Sequence, residues 1–506
     1  MISCFFLRHS FLPTQMKKQD SKHEVIVLGS GLGGLLAGTL LAAKKHSVLI
    51  LKEKEYQPFY EREGYRFVPF SNFSERNLKR SILQKISQEL GLSLIPDGSP
   101  KVSETRSDLK KQQNKVDYQV ILPKARVDLF DQRTLLQREW KREFPNEVIE
   151  IEKFYDEMKR VRQLLSKSRR IKNTQDFFPL QLRSLIKRWL PFKHFAPKSI
   201  DEKLSVLSKE FREFIKLQLI SQGNLYSEKI PFSLAAYLLS NNEPGEWISD
   251  EDLEILKESI LERFFQSGGK IEEIDRIERI DKKWRKSFTL SLKGDQNSLQ
   301  SSFLILNSPL HRFSNLWGKK GKRLSKWAEK IQPRYVLIPF FFGIREKVVP
   351  VGMKDLLVSI LDLNKPYERG NVLFLSLSPK GDKTEAPEGK RALTIQYLMP
   401  WDEWDALSLA EHQEGVMRHL KYLFPFLEKY IEFIEFSWAN EQISHWSYPH
   451  FLYETKSDFH WREGVVPTRI SRNLYFIGKE NFPYLGLEGE ILSGLMVAQQ
   501  ILQKFS

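Results

Sequence analysis

The clearest hydrophobic pattern in the chain is a short apolar run, Val25 to Leu28, that breaks at a glycine-rich turn and resumes with helical spacing. Four consecutive apolar residues with no alternation predict a strand, Glu24 to Leu28, buried on both faces of a parallel sheet. The next segment, Gly33 to Lys45, carries Gly34, Gly38 and Ala42 at every fourth position. That is one face of a helix, and small residues along it let the helix lie close on its neighbours. Ser47 to Leu51 reads as a second strand. Residues 72–95 form an amphipathic pattern ending at Gly91, and residues 100–117 are polar and lysine-rich, as in a surface loop. Tyr118 to Phe130 alternates around Pro123-Lys124 and predicts a pair of hairpin strands. Gln132–Arg142, Glu147–Ser166 and Glu251–Gln266 read as helices, the last stopped by Gly268-Gly269. Lys270–Ile280, Ser287–Leu292 and Ser301–Asn307 follow as strands, the last of them buried. Near the end, NLYFIG is a strand opening at Gly478, PYLGLEGE a glycine loop, and Ile491–Phe505 an apolar-faced helix.

Composition sets bounds on this picture. A chain of 506 residues, 41% hydrophobic, exceeds one ordinary core and predicts two domains. The net charge of +15 is spread along the chain, which suits an acidic partner such as an anionic lipid surface. No nucleic-acid-binding signature accompanies it, so no nucleic-acid partner is expected. A lone cysteine, Cys4, excludes a disulfide framework and a C-x-x-C redox centre, and fits a reducing, cytoplasmic setting. Residues 1–22 lack a signal-peptide pattern and read as disorder or as a start upstream of the true one at Met16. No run reaches eighteen apolar residues; the strongest, Tyr335–Ile344, is short and holds a proline. Gln175–Ala196 mixes large aromatic and aliphatic groups with Arg183, Lys187, Arg188 and Lys193. It reads equally as a helix in a membrane interface or as an ordinary packed helix. Oligomeric state is not legible.

The turn after the first strand carries the candidate chemistry. Gly29, Gly31 and Gly34 spell G-x-G-x-x-G between a strand and a helix, the context in which the motif holds a dinucleotide. Gly29 permits the tight turn, Gly31 lets backbone approach a pyrophosphate, and Gly34 lets the helix close on the sheet. Ser30, Leu32 and Gly33 complete the turn, with the helix's first amides facing the phosphates. The acid that ordinarily meets the ribose at the end of the second strand is replaced by Lys52, with Glu53 one place later. Either Glu53 serves, or the ribose is held differently, or a 2′-phosphate is accommodated. No zinc-ligand spacing and no nucleophile elbow are present, so neither a metal site nor hydrolase chemistry is expected. His445, Trp446, Tyr448 and His450 read as a cavity wall or as sheet packing.

Four separated stretches resemble the FAD-dependent phytoene desaturase-like oxidoreductases, the branch of the amine-oxidase-like flavoproteins that includes carotenoid desaturases and retinol saturase. These are the Gly29–Glu53 unit; YQVILPKARVDLF followed by REFPNEVIEIEKFYDEM; Asp382 with Ala386 to Lys390; and Asn473 to Gly478 followed by Gly486, Gly489, Ser493 and Gly494. The resemblance is collinear from about residue 23 to the end.

It implies an α/β fold in which a Rossmann-like FAD-binding domain (23–70, 245–310 and 465–506) is interleaved with an α+β substrate domain (71–244 and 311–464). It further implies FAD, with Gly478, Gly486, Gly489, Glu490 and Ile491 near the flavin and Ile277 offering backbone contacts to adenine. The last helix would start at the pyrimidine edge of the flavin, where its dipole favours negative charge. The implied activity is hydride transfer with a hydrophobic isoprenoid or polyene, by desaturation, isomerisation or saturation, at or near a membrane surface. The alternatives are an amine- or porphyrinogen-type oxidase, and a non-enzymatic prenyl or lipid carrier like the GDP-dissociation inhibitors. The chain departs from the pattern at EKEYQPFYEREG, at GYRFVPF, and at Glu488 and Glu490, where the family more often has proline or small apolar residues. These two carboxylates are the candidate acid–base residues, with the helix-start preference for acidic side chains as the other reading.

Overall fold

The computed structural model describes residues 22–53, 59–68, 78, 80–92, 116–130, 132–167, 199–223, 230–239, 250–275, 277–282, 287–293, 298–310, 313, 316, 322–403, 409–436, 451–455 and 464–505. The N-terminal stretch, the aromatic-basic segment at 175–196 and the HWSYPH run lie outside these.

Strand β1 (Lys22–Leu28) turns into helix α1 (Leu32–Ala43), which returns to β2 (Val48–Glu53). A hairpin of β3 (Tyr60–Arg62) and β4 (Tyr65–Phe67) follows, then helix α2 (Arg80–Leu90). Strands β5 (Val116–Ile121) and β6 (Arg126–Phe130) pair antiparallel, as the alternation predicts. Five helices come next: α3 (Arg133–Glu143), α4 (Val148–Lys167), α5 (Ile200–Leu204), α6 (Lys209–Gln222) and α7 (Phe232–Leu239). Helix α8 (Asp250–Gln266) feeds β7 (Lys270–Ile274), β8 (Ile277–Lys282), β9 (Phe288–Leu292) and β10 (Ser298–Leu306). Helix α9 (Lys322–Ala328) leads to β11 (Ile331–Arg345), β12 (Leu356–Ile360), β13 (Val372–Leu377) and β14 (Lys390–Pro400). The chain closes with α10 (Leu409–Leu423), β15 (Ile431–Glu435), β16 (Phe451–Thr455), β17 (Arg469–Ser471), β18 (Leu474–Phe476) and α11 (Gly486–Phe505).

The first sheet has a parallel centre, β18-β10-β1-β2-β7, with β17, β9 and β8 added antiparallel. Its central strands are apolar on both faces because both faces are covered. Val25, Val27, Ile50 and Ile305 pack on α1, α8 and α11 through Leu41, Phe264, Val497 and Ile501. Ile26, Leu28, Leu49 and Leu306 turn the other way, into a core shared with the second sheet and the helical layer. The small face of α1 behaves as its spacing predicts: a methyl at Gly38 would lie 3.3 Å from Ile50 and 3.4 Å from Phe264.

The second sheet runs β15-β11-β14-β13-β12-β5-β6, with β16 beside β11. It is antiparallel except where β12 lies parallel to β5. Tyr335–Ile344, the strongest apolar run, is most of β11, which pairs with β14 from Tyr335↔Pro400 to Arg345↔Lys390. Helices α3, α4, α6 and α7 pack together through Phe144, Phe154, Phe211 and Phe232.

Three expectations are corrected. The strand expected over Lys270–Ile280 is two strands, since β7 continues the parallel sheet beside β2 whereas β8 turns to pair with β9. The polar loop expected to reach residue 117 gives way to β5 from Val116. PYLGLEGE is not a glycine loop: Pro483–Leu485 is one 3-10 turn, and α11 already starts at Gly486. The glycines there serve close packing, because a methyl at Gly489 would lie 2.6 Å from the Phe482 carbonyl oxygen. Among the described residues no helix is long and apolar enough to cross a membrane.

Candidate cofactor and active site

The site forms at the carboxyl ends of β1, β10 and β18, where the crossovers from β1 and from β10 depart in opposite directions. That is the switch point at which open α/β sheets bind ligands. The Gly29 amide donates to the Leu51 carbonyl at 2.9 Å, and the Asn307 amide to the Leu28 carbonyl at 2.7 Å. Together they tie the ends of β1, β2 and β10. Gly29 holds φ at +112°, and a Cβ there would fall 1.9 Å from the Asn307 carbonyl oxygen. Only glycine satisfies both conditions.

Asn307 was not singled out in the sequence. It lies 7% exposed, and its Nδ2 donates to the Ile477 carbonyl at 3.0 Å and toward Glu490 Oε1 at 3.4 Å. Its Oδ1 is buried without a partner and faces the glycine seam, 2.2 Å from where a Gly34 Cβ would be. The available signal was its position, a polar residue closing the apolar strand SSFLIL.

The first turn of α1 meets the second and third turns of α11 here. A Cβ on Gly494 would lie 2.3 Å from the Gly33 carbonyl oxygen, so the two helices cross backbone to backbone. The Gly33 amide, in the first turn of α1, donates to Glu490 Oε1 at 3.1 Å. Two residues earlier, Glu488 Oε1 accepts from the Tyr237 hydroxyl of α7 at 2.5 Å. Residues two apart on a helix point about 200° apart. Accordingly the two expected carboxylates are not brought together: Glu490 faces the glycine turn, and Glu488 faces the helical layer. Both are buried, as is Tyr237. Tyr237 carried no signal in the sequence, being one residue of an apolar helix far from Glu488. The Arg162 guanidinium fixes its backbone, donating to the Tyr237 carbonyl at 2.8 Å.

The other expected residues fall around this centre. Ser30 lies in the turn, Leu32 opens α1, and Ile491 is buried in α11. The Gly478 amide donates to Asn481 Oδ1 at 2.9 Å, and Gly486 opens α11 at φ +53°. Lys52 and Glu53 end β2, opposite Glu273 and Ile274 of β7. Ile277 starts β8 just beyond them and is buried. Behind the site, Glu480 Oε1 accepts from the Leu310 amide at 2.9 Å. Burial pushes its carboxyl above the usual range, against the hydrogen bonds from Leu310 and Tyr453. Asp382 and its neighbours make a surface turn instead, in which the Asp382 carboxylate accepts from Thr384 and its pKa is thereby lowered. Among the described residues no cluster could hold a metal ion.

A family model described as flavin containing amine oxidoreductase matches residues 341–502. The chain is 23% identical over 535 aligned positions to the chloroplastic prolycopene isomerase of Arabidopsis thaliana, covering 95% of this chain and 83% of that protein. Two solved structures share its fold. An oxidoreductase from Methanosarcina mazei superposes with a TM-score of 0.55 at 13% identity, over 94% of this chain and 100% of the other. A putrescine oxidase bound to putrescine gives 0.56 at 13% identity, over 96% and 100%.

The chain is an FAD-dependent oxidoreductase. Its C-terminal third matches the flavin-containing amine oxidoreductases, and the chain as a whole is distantly similar to prolycopene isomerase. The site's residues fit the cofactor. The glycine turn leaves a cradle that any Cβ would fill, and a carboxylate oxygen already occupies the Gly33 amide as a phosphate oxygen would.

Proposed function

We propose that the chain catalyses hydride transfer between flavin and a hydrophobic isoprenoid or polyene substrate, with the Tyr237–Glu488 pair managing the proton. The observation that carries this reading is that pair: a hydroxyl and a carboxylate hydrogen-bonded out of water, at the first turn of α11. Support for the substrate class comes from the similarity to prolycopene isomerase along 95% of the chain. In this reading the cofactor segments are 23–70, 245–310 and 465–506, and the substrate segments 71–244 and 311–464. The strands of the first sheet come from the former group and those of the second from the latter, which supports the division.

Bound flavin supplies the two-electron chemistry; the protein supplies orientation, exclusion of water and tuning charge. Gly29 to Gly34 and Asn307 would hold the phosphate end, and Gly478, Gly486, Gly489 and Ile491, between the end of β18 and the start of α11, would lie toward the flavin. When a proton leaves a substrate carbon, Tyr237 Oη would accept it while passing its own hydroxyl proton to Glu488, and in the reverse direction Glu488 would return that proton to Oη as Oη protonates the carbon. Tyr237 and Glu488 are both buried, which keeps bulk water from that proton.

The test begins with colour. Purified protein should be yellow and release FAD on denaturation. Under anaerobic conditions a polyene lipid should reduce or reoxidise that flavin, or be isomerised without net flavin turnover. Tyr237→Phe should keep the flavin spectrum and lose about 10²- to 10⁴-fold in turnover, the range of a positioned acid or base. Unchanged turnover in that variant removes the proton-managing role.

The family match favours one second reading, an oxidase acting on amines. It requires peroxide formation from amine substrates in air, which the polyene reading does not.

A further inference from the structure

We propose that Glu490 is a tethered competitor for the pyrophosphate of FAD: its carboxylate caps α1 when the cofactor is away and must leave when the cofactor binds. The inference rests on the FAD site described above and concerns how tightly that site holds its cofactor. Three observations meet at this one side chain. First, Glu490 Oε1 accepts the Gly33 amide at 3.1 Å, one of the first-turn donors that a phosphate oxygen would take. Second, the same oxygen lies 2.4 Å from where a Cβ on Gly31 would be. The space kept free by the middle glycine of the motif is thus entered by an acid from α11. Third, the carboxylate is buried, 8% exposed, and its only partners among the described residues are the Gly33 amide and the Asn307 side-chain amide. Among the described residues no cation pairs with it.

A buried carboxylate held only by neutral donors and a helix dipole is stable while it is the sole anion there. A diphosphate needs the same amides and brings its own negative charge. Like charges in a poorly solvated pocket repel strongly, so the two do not share it. Glu490 must therefore rotate away, and FAD affinity is reduced by what the carboxylate gives up. The chain would hold its cofactor exchangeably, with apo-protein protected by an internal anion. Glu490 is then a specificity- and affinity-setting residue, not a group acting on substrate.

The experiment titrates FAD into full-length apo-protein, wild type and Glu490→Gln, following flavin fluorescence, with thermal melting of each with and without FAD. Glutamine retains a neutral oxygen for the Gly33 amide, so folding is preserved. Glu490→Ala is the second variant, should glutamine itself compete. The expected result is an FAD Kd at least tenfold lower in Glu490→Gln than in wild type. In Glu490→Ala, apo melting should fall while the upward shift produced by FAD grows. That opposition of sign is what a merely structural role would not produce. Equal or weaker FAD binding in both variants, with wild type binding normally, overturns the competitor alone. Absence of FAD binding in all three proteins overturns it together with the flavoprotein reading.

Discussion

Two glycines of the same motif do different physical work, and their substitutions should separate accordingly. At Gly29 an added methyl meets a backbone carbonyl at 1.9 Å and the residue is held at φ +112°. Neither can relax without moving β10. Gly29→Ala should therefore cost about 2–5 kcal/mol in folding, combining backbone strain with overpacking. It should be purified with little flavin, as the ratio of absorbance at the flavin band to that of protein will show. At Gly31 the methyl meets the ends of two side chains, Glu490 Oε1 at 2.4 Å and Asn307 Oδ1 at 2.8 Å. Both can swing aside, so Gly31→Ala should melt near wild type yet bind FAD less tightly, because the methyl stands where phosphate approaches. If Gly31→Ala unfolds as Gly29→Ala does, the distinction is lost. The motif itself was legible because its spacing repeats a backbone requirement. Asn307 and Tyr237 were not, since each acquires meaning only from a partner far away in the chain: Ile477 for one, Glu488 for the other.

At the scale of elements, the site depends on how closely α1 and α11 cross. The crossing point is Gly33 against Gly494, where a Cβ would be 2.3 Å from a carbonyl oxygen. A larger residue at 494 cannot be absorbed by a side-chain shift, so one helix must slide. Gly494→Val should leave far-UV circular dichroism almost unchanged and remove bound FAD, since both helix starts would move off the groove. FAD content equal to wild type would show that the crossing does not set the site. Element type was largely readable here. Spacing identified α1, α4 and α8, whereas the unbroken apolar run Tyr335–Ile344 was weighed only as a membrane span and takes its meaning from pairing in β11. The start of α11 was not readable, because Gly486 and Gly489 look like chain breakers. Their reason is contact with the Phe482–Leu485 turn, a tertiary fact. Glu488 and Glu490 read either as an acid–base pair or as acids at a helix start; they lie at the start of α11, where helical geometry separates them.

Across the whole molecule, the chain leaves the first sheet after β2, returns for β7 to β10, leaves again and ends in it with β18. The shared core binds the two sheets into one cooperative structure, so a weakness in the second sheet should reach the site. His419 is such a place. It sits on α10, fully buried, between Ser359 of β12 and the Gly370 carbonyl, each at 2.8 Å. A carbonyl can only accept, so Nδ1 carries the proton and Nε2 takes the Ser359 hydroxyl. The ring is neutral, and burial pushes its pKa down to about 4. In the unfolded chain the ring binds a proton near its ordinary 6.5. Between those values the unfolded state holds more protons, so stability falls as the pH drops from 6.5 toward 4, by up to about 3 kcal/mol from this group. Above 6.5 both states are neutral and the contribution is flat. His419→Gln keeps one donor and one acceptor but no titration. It should be less stable than wild type at pH 7.5, with the gap narrowing by pH 4.5. Urea unfolding at the two pH values measures this directly, and FAD release should track it. A gap that stays constant between the two would mean that His419 is protonated, or reached by water, in the folded protein.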